Sequence, residues 1–107
     1  MHPDDLLFQS TGFDWDEENA AKNWEKHRVS FWECEEVFFN QPLLLAGDAA
    51  HSEHEKRFYA LGKTDSERFL FVAFTQRHKS IRVIPARDMN RKERSEYQNA
   101  EKKDTSL

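Results

Sequence analysis

Three runs decide the fold: Arg57-Phe-Tyr-Ala-Leu-Gly62, Phe69-Leu-Phe-Val-Ala-Phe-Thr75 and Ile81-Arg-Val-Ile-Pro-Ala86. Each is rich in aromatic or branched residues, and the stretches between them, Thr64-Asp-Ser-Glu67 and Gln76 to Ser80, are turn-like. Connections this short predict an antiparallel meander. In Phe69–Thr75 both alternating sets are apolar, Leu70/Val72/Phe74 and Phe69/Phe71/Ala73, which predicts a central strand covered on both faces. Leu43 to Leu45, ended by Gly47 and Asp48, adds a brief strand upstream, and polar Ala49 to Glu55 forms the loop between.

Outside the sheet the signals are helical. Asp16 (or Asp14) caps a first helix over 16–27, with Ala20, Trp24 and His27 on one face. Ser30 and Glu33 form a capping box that opens a second helix over 31–39, which ends before Pro42. Asn90 with Glu93 opens a last helix to about Ala100, whose only apolar contacts are Met89, Tyr97 and Ala100, too few for a core element. The expected class is therefore α+β: two N-terminal helices, an antiparallel sheet of about four strands and a C-terminal helix. The expected organisation is a flexible N-terminus over 1–12, one domain over 13–100 and a frayed tail over 101–107.

A chain of 107 residues is long enough for one core. Cys34 is the only cysteine, so no internal disulfide is possible and a reduced, cytoplasmic setting is expected; on an apolar helix face it reads as buried filler. Residues 1–12 lack the basic start and apolar run of a signal peptide, and no stretch reaches the length of a membrane span. Charge is uneven. Residues 1–40 hold ten acids and three Lys/Arg, whereas 77–94 hold seven Lys/Arg and two acids. Such asymmetry predicts two surfaces with different partners, while a pI near 5.7 argues against nonspecific nucleic-acid binding.

The basic block has two readings, a phosphate site or a solvated face. Arg82 alternates with Ile84 and Ala86, so Arg87 falls on the opposite parity unless a bulge or strand end near Pro85 re-aims it. Helical spacing through Arg87, Arg91 and Arg94 would instead form one ridge, usable for phosphates or for an acidic partner. His51-Ser-Glu-His54-Glu55-Lys-Arg57 can be read as a metal site, an acid/base site or an exposed loop. As a metal site it lacks a defined third ligand, and no metal or cofactor is expected. His27 is expected to pack on the core, as are Trp15, Trp24 and Trp32, the alternative for the tryptophans being base stacking.

The segment Phe13-Asp-Trp15-Asp16-Glu, with Asn23, Lys26-His27, Val29-Ser30-Phe31 and Val37-Phe38, resembles the opening of the BrnT family of type II toxin-antitoxin toxins. Asp48-x-x-His51-Ser52-x-x-Glu55-x-Arg57, Gly62, Arg77, Ile81-Arg82-Val83-Ile84-x-Ala86-Arg87, and Glu93-Arg94 with Tyr97 continue that resemblance over residues 13–97. Three positions depart from it: Asn19 stands for a family lysine, Arg28 for a frequent glycine and Pro85 for a frequent serine.

The resemblance implies a small RelE-like ribonuclease toxin that needs no metal and inhibits translation and growth. RNA cleavage would leave 2',3'-cyclic phosphate and 5'-hydroxyl ends. It implies neutralisation by a BrnA-type antitoxin, through which alone the complex would reach operator DNA. On this basis Arg77, Arg82 and Arg87 are expected as phosphate and transition-state ligands with Arg57 assisting, His51 and Glu55 in proton transfer, and His78 and Lys79 on RNA. Arg91, Arg94 and Tyr97 are expected on the antitoxin. A noncatalytic antitoxin-binding co-repressor is the alternative from another class, and a metal hydrolase built on His51 and His54 a third.

Overall fold

The computed structural model describes residues 12–51 and 55–105. The expected flexible N-terminus therefore falls almost wholly outside the described residues, as do His54, the side chain of His51 and the end of the expected tail.

The elements are β1 (Gly12–Phe13), α1 (Glu17–His27), α2 (Phe31–Phe39), β2 (Leu44–Gly47), a 3-10 turn (Ala49–His51), β3 (Arg57–Lys63), β4 (Phe69–Arg77), β5 (Ser80–Asp88) and α3 (Arg91–Thr105). Local chemistry sets the helix starts. Asp16 accepts from the amides of Glu18 (2.9 Å) and Asn19 (3.3 Å). Ser30 and Glu33 close a reciprocal capping box, and so do Asn90 and Glu93, with bonds of 2.8 and 2.9 Å. Arg28 ends α1 in the left-handed region at φ 54°, a conformation that glycine adopts without strain.

The sheet runs β1-β5-β4-β3-β2. Strands β2 to β5 form the expected antiparallel meander. The fifth strand was not foreseen. Gly12 and Phe13 pair in parallel with Ser80 and Ile81, so the sheet is mixed and Gly12 belongs to the fold. At the other end α3 continues to Thr105, past the expected stop at Ala100.

Two cores flank the sheet, as the doubly apolar β4 predicts. Val29, Cys34, Val37 and Phe38, from α2 and the segment leading into it, pack with Phe58, Val72, Phe74, Ile81, Val83 and Ala86 on one face. Gly62 lets α2 approach β3, since a Cβ there would meet Val37 Cγ1 at 2.6 Å. On the other face Tyr97 of α3 and Met89, just before that helix, cover Leu61, Phe69 and Phe71. Tyr97 anchors polar α3: it is fully buried and its hydroxyl donates to the Pro42 carbonyl at 2.7 Å. Lys63 and Glu101 add an ion pair at 3.2 Å.

Candidate active site

Helix α3 covers only part of its sheet face. The remainder carries the arginines. Cross-strand register places Arg57, Thr75 and Arg82 in one row, with the Tyr59–Ala73 row beside it and the Leu61–Phe71–Arg87 row beyond that. Residues 57, 59, 61 and 71, 73, 75, 77 share this face because strand side chains alternate.

Each arginine meets a carboxylate. Arg82 Nη2 donates to Asp14 at 2.9 Å and its Nη1 lies 3.9 Å from Asp16; the short β1–β5 pairing brings those acids there. Arg77 bonds Glu55 at 3.1 Å through Nε, because Glu55 extends the β3–β4 register by two residues beyond Arg57–Thr75. Arg57 Nε lies 3.8 Å from Asp48. Arg87 grips Glu93 through both terminal nitrogens at 2.8 and 3.0 Å, and its Cζ stands 4.1 Å from the Phe71 ring centroid. Burial works against ionisation of Glu93, yet the bonds from Arg87 and the Asn90 amide hold its carboxyl below the usual range.

One row also holds unmet hydrogen-bonding capacity. The Thr75 hydroxyl, in a residue 2 % exposed, and Arg82 Nε are both buried without a hydrogen-bond partner among the described residues. They face each other across the β4–β5 ladder. Buried polar atoms in this condition are rare enough to need a reason.

The site residues predicted from the sequence thus fall into groups. Arg57, Arg77, Arg82 and Glu55 gather at one end of the open face, and Arg87 lies on the same face nearer α3. His78 and Lys79 occupy the exposed two-residue tip of the β4–β5 hairpin beside Arg77, both at positive φ (50° and 67°). That is the backbone a two-residue turn between twisted strands requires. His51 ends the 3-10 turn, and its side chain lies outside the described residues.

Other expectations are corrected. Tyr97, expected on the antitoxin, has its side chain fully buried in the core. Arg87 is on a strand, which limits the helical ridge to exposed Arg91 and Arg94. His27 is exposed, and its carbonyl accepts from Arg68 at 3.0 Å. Trp24 and Trp32 are 48 % and 56 % exposed; with Ala20, Ser30 and Phe31 they line an apolar groove of about 250 Å³ on the helix layer. Trp15 does pack on the first core, and its indole donates to Glu35 at 2.7 Å. Cys34 is buried, which pushes its thiol up to about 12 and makes it no nucleophile.

Sequence reasoning missed Thr75, which reads as the end of an apolar run, and Asp14 as an Arg82 partner. It also left Arg68 unmarked. That side chain bonds Asp88, Glu33 and the carbonyls of His27 and Arg28, tying the α1–α2 elbow to the end of β5.

A family model described as "Ribonuclease toxin, BrnT, of type II toxin-antitoxin system" matches residues 15–93. Among solved structures, the ribonuclease toxin BrnT of Brucella abortus is similar at a TM-score of 0.59 and 20 % identity, covering 77 % of this chain and 100 % of that one. That likeness supports the fold. None of the curated proteins matches the chain. No helix among the described residues is long and apolar enough to cross a membrane. With most of its length inside the family model, the chain belongs to the BrnT family of ribonuclease toxins of type II toxin-antitoxin systems.

Proposed function

We propose that this chain is a metal-independent endoribonuclease acting in the cytoplasm, with the open arginine face as its active site. The observation that carries the reading is the Arg57–Thr75–Arg82 row, where two guanidinium groups flank a buried hydroxyl and one polar atom on each of Thr75 and Arg82 has no hydrogen-bond partner among the described residues. In the reaction the RNA 2'-hydroxyl attacks the adjacent phosphorus, the bond to the 5'-oxygen breaks, and 2',3'-cyclic phosphate and 5'-hydroxyl ends result. The phosphorane gains negative charge in the transition state, and preorganised guanidinium donors stabilise it most at that point. Arg57, Arg77 and Arg82 are its ligands. Arg87 holds a neighbouring phosphate, since its row is four residues from theirs along β4, about 13 Å at the rise of an extended strand. His51 and Glu55 move the protons, and His78 and Lys79 steer the strand from the hairpin tip.

The carboxylates now on these arginines are displaceable. The Arg77–Glu55 pair is 45 % and 37 % exposed, so solvent screens its attraction and leaves it little net strength. A phosphate oxygen, through a charge-assisted bond, competes with them. Glu55 released from Arg77 becomes available as a base.

The antitoxin is of the BrnA type, contacts exposed Arg91 and Arg94 on α3, and carries the DNA-binding part that reaches the operator. Inhibition of translation and growth follows from loss of mRNA. Incubating antitoxin-free protein with RNA in EDTA and mapping the ends tests the chemistry. Cleavage that continues and leaves cyclic phosphate is expected; loss of cleavage in EDTA or 5'-phosphate ends would refute the mechanism.

A further inference from the structure

Strand β5 carries one more residue than β4 between two paired positions. Val83 pairs with Phe74 and Ala86 with Val72, so Ile84 and Pro85 together face Ala73. Before this bulge Ile81 and Val83 point into the first core, and after it Ala86 does. Strict alternation without a bulge would bury positions 81, 83, 85 and 87. Arg87 would then enter the core beneath α1 and α2. The extra residue turns it onto the face that carries Arg82.

A bulge interrupts the ladder, and the backbone groups it frees must find partners. Asn23, only 5 % exposed on α1, supplies two of them. Its Nδ2 donates to the Ile84 carbonyl at 3.0 Å, and its Oδ1 accepts from the Ala86 amide at 3.1 Å. Pro85, between them, has no N–H to satisfy. An uncharged amide presents a donor and an acceptor side by side, whereas a carboxylate offers acceptors alone.

We propose that Asn23 is a positioning residue for the arginine site: by clamping Ile84 and Ala86 it fixes the bulge that aims Arg87 at the same sheet face as Arg82. It acts without touching RNA. The consequence for cleavage rests on the ribonuclease reading above, whereas the aiming of Arg87 does not.

Two variants test this, N23D, which sets an oxygen against the Ile84 carbonyl, and N23S, a smaller change in case the first fails to fold. The Arg87 side-chain protons lie over Phe71 and take a ring-current shift in NMR spectra. That shift should disappear in either variant while the Trp15 indole N–H, held by Glu35, keeps its resonance. For cleavage, kcat should fall about tenfold, and by less than about twofold when Arg87 is already alanine, because the group being aimed is then gone. A ring-current shift retained in a folded variant would overturn the proposal, as would an equal loss of kcat with and without Arg87. Were the natural chain to cleave no RNA, the ribonuclease reading would fail alone, and the spectra would still decide whether Asn23 aims Arg87.

Discussion

Arg68 and Arg82 are nearly equally exposed, at 25 % and 23 % of their side chains, yet they are opposites in saturation. Arg68 engages all its nitrogens: Nε with Asp88 at 2.7 Å, Nη1 with the Arg28 carbonyl and Glu33, Nη2 with the His27 carbonyl and Asp88. It closes the exposed carbonyl end of α1, which a cation suits. Arg82 bonds Asp14 through one nitrogen and keeps a buried Nε without a partner among the described residues, opposite a Thr75 hydroxyl in the same condition. A saturated guanidinium can only hold the fold together. An unsaturated one on an open sheet face can still receive a ligand.

Alanine at each position should break the pair apart. R82A removes a transition-state donor, and cleavage should fall about 100- to 1000-fold with the midpoint of unfolding little changed. R68A strands Glu33, Asp88 and two helix carbonyls, so stability should drop by about 2 to 4 kcal/mol. Its cleavage rate per folded molecule should stay within about threefold of the parent. Chemical denaturation and kcat/KM on the same preparations check both. Parallel losses in the two variants would abolish the distinction.

Acid sharpens it further. The Arg68 hydrogen bond holds the Asp88 carboxyl below its ordinary 3.8. Burial pushes Glu33 up, but bonds from Ser30 and Arg68 outweigh it and the group lies below 4.5. A carboxyl depressed in the folded state stabilises fully above its unfolded value, and that contribution is lost as pH falls through the folded value. Unfolding free energy measured from about pH 6 down to about pH 2 should therefore decline below about pH 4.5. The decline should be shallower in R68A and unchanged in R82A. A slope that ignores Arg68 would show that other carboxylates govern acid stability.

The two arginines also mark what the sequence discloses. Helix starts were legible because Asp16, Ser30 with Glu33, and Asn90 with Glu93 state their caps within four residues. The meander was legible because its turns are short. What escaped depends on partners far away in the chain. Gly12–Phe13 is too brief to show periodicity and pairs with Ser80–Ile81. Tyr97 sits in a polar helix but bonds Pro42, 55 residues away. The common face of Arg82 and Arg87 hangs on a bulge held by Asn23, 61 residues before Ile84. The arginines and Glu55 were visible as candidate site residues through the resemblance. The saturation of Arg68 was not, because its four partners, His27, Arg28, Glu33 and Asp88, lie 20 to 41 residues away in the chain.

The smallest expected effect discriminates most finely. Replacing Thr75 by Val keeps the branched shape in a residue 2 % exposed and removes a hydroxyl that has no partner among the described residues. Burying an unpaired hydroxyl costs about 1 to 3 kcal/mol, so T75V should leave stability unchanged or raise it by about 1 kcal/mol. If the hydroxyl serves the phosphate, kcat/KM should fall about tenfold, or about 1.4 kcal/mol of transition-state stabilisation. The two measurements then move in opposite directions, which no general loosening of the sheet produces. A drop in both would mean that Thr75 carries a packing role. A rise in stability with cleavage unchanged would detach it from the site and leave the unsatisfied Arg82 Nε as the remaining sign of a ligand in that row.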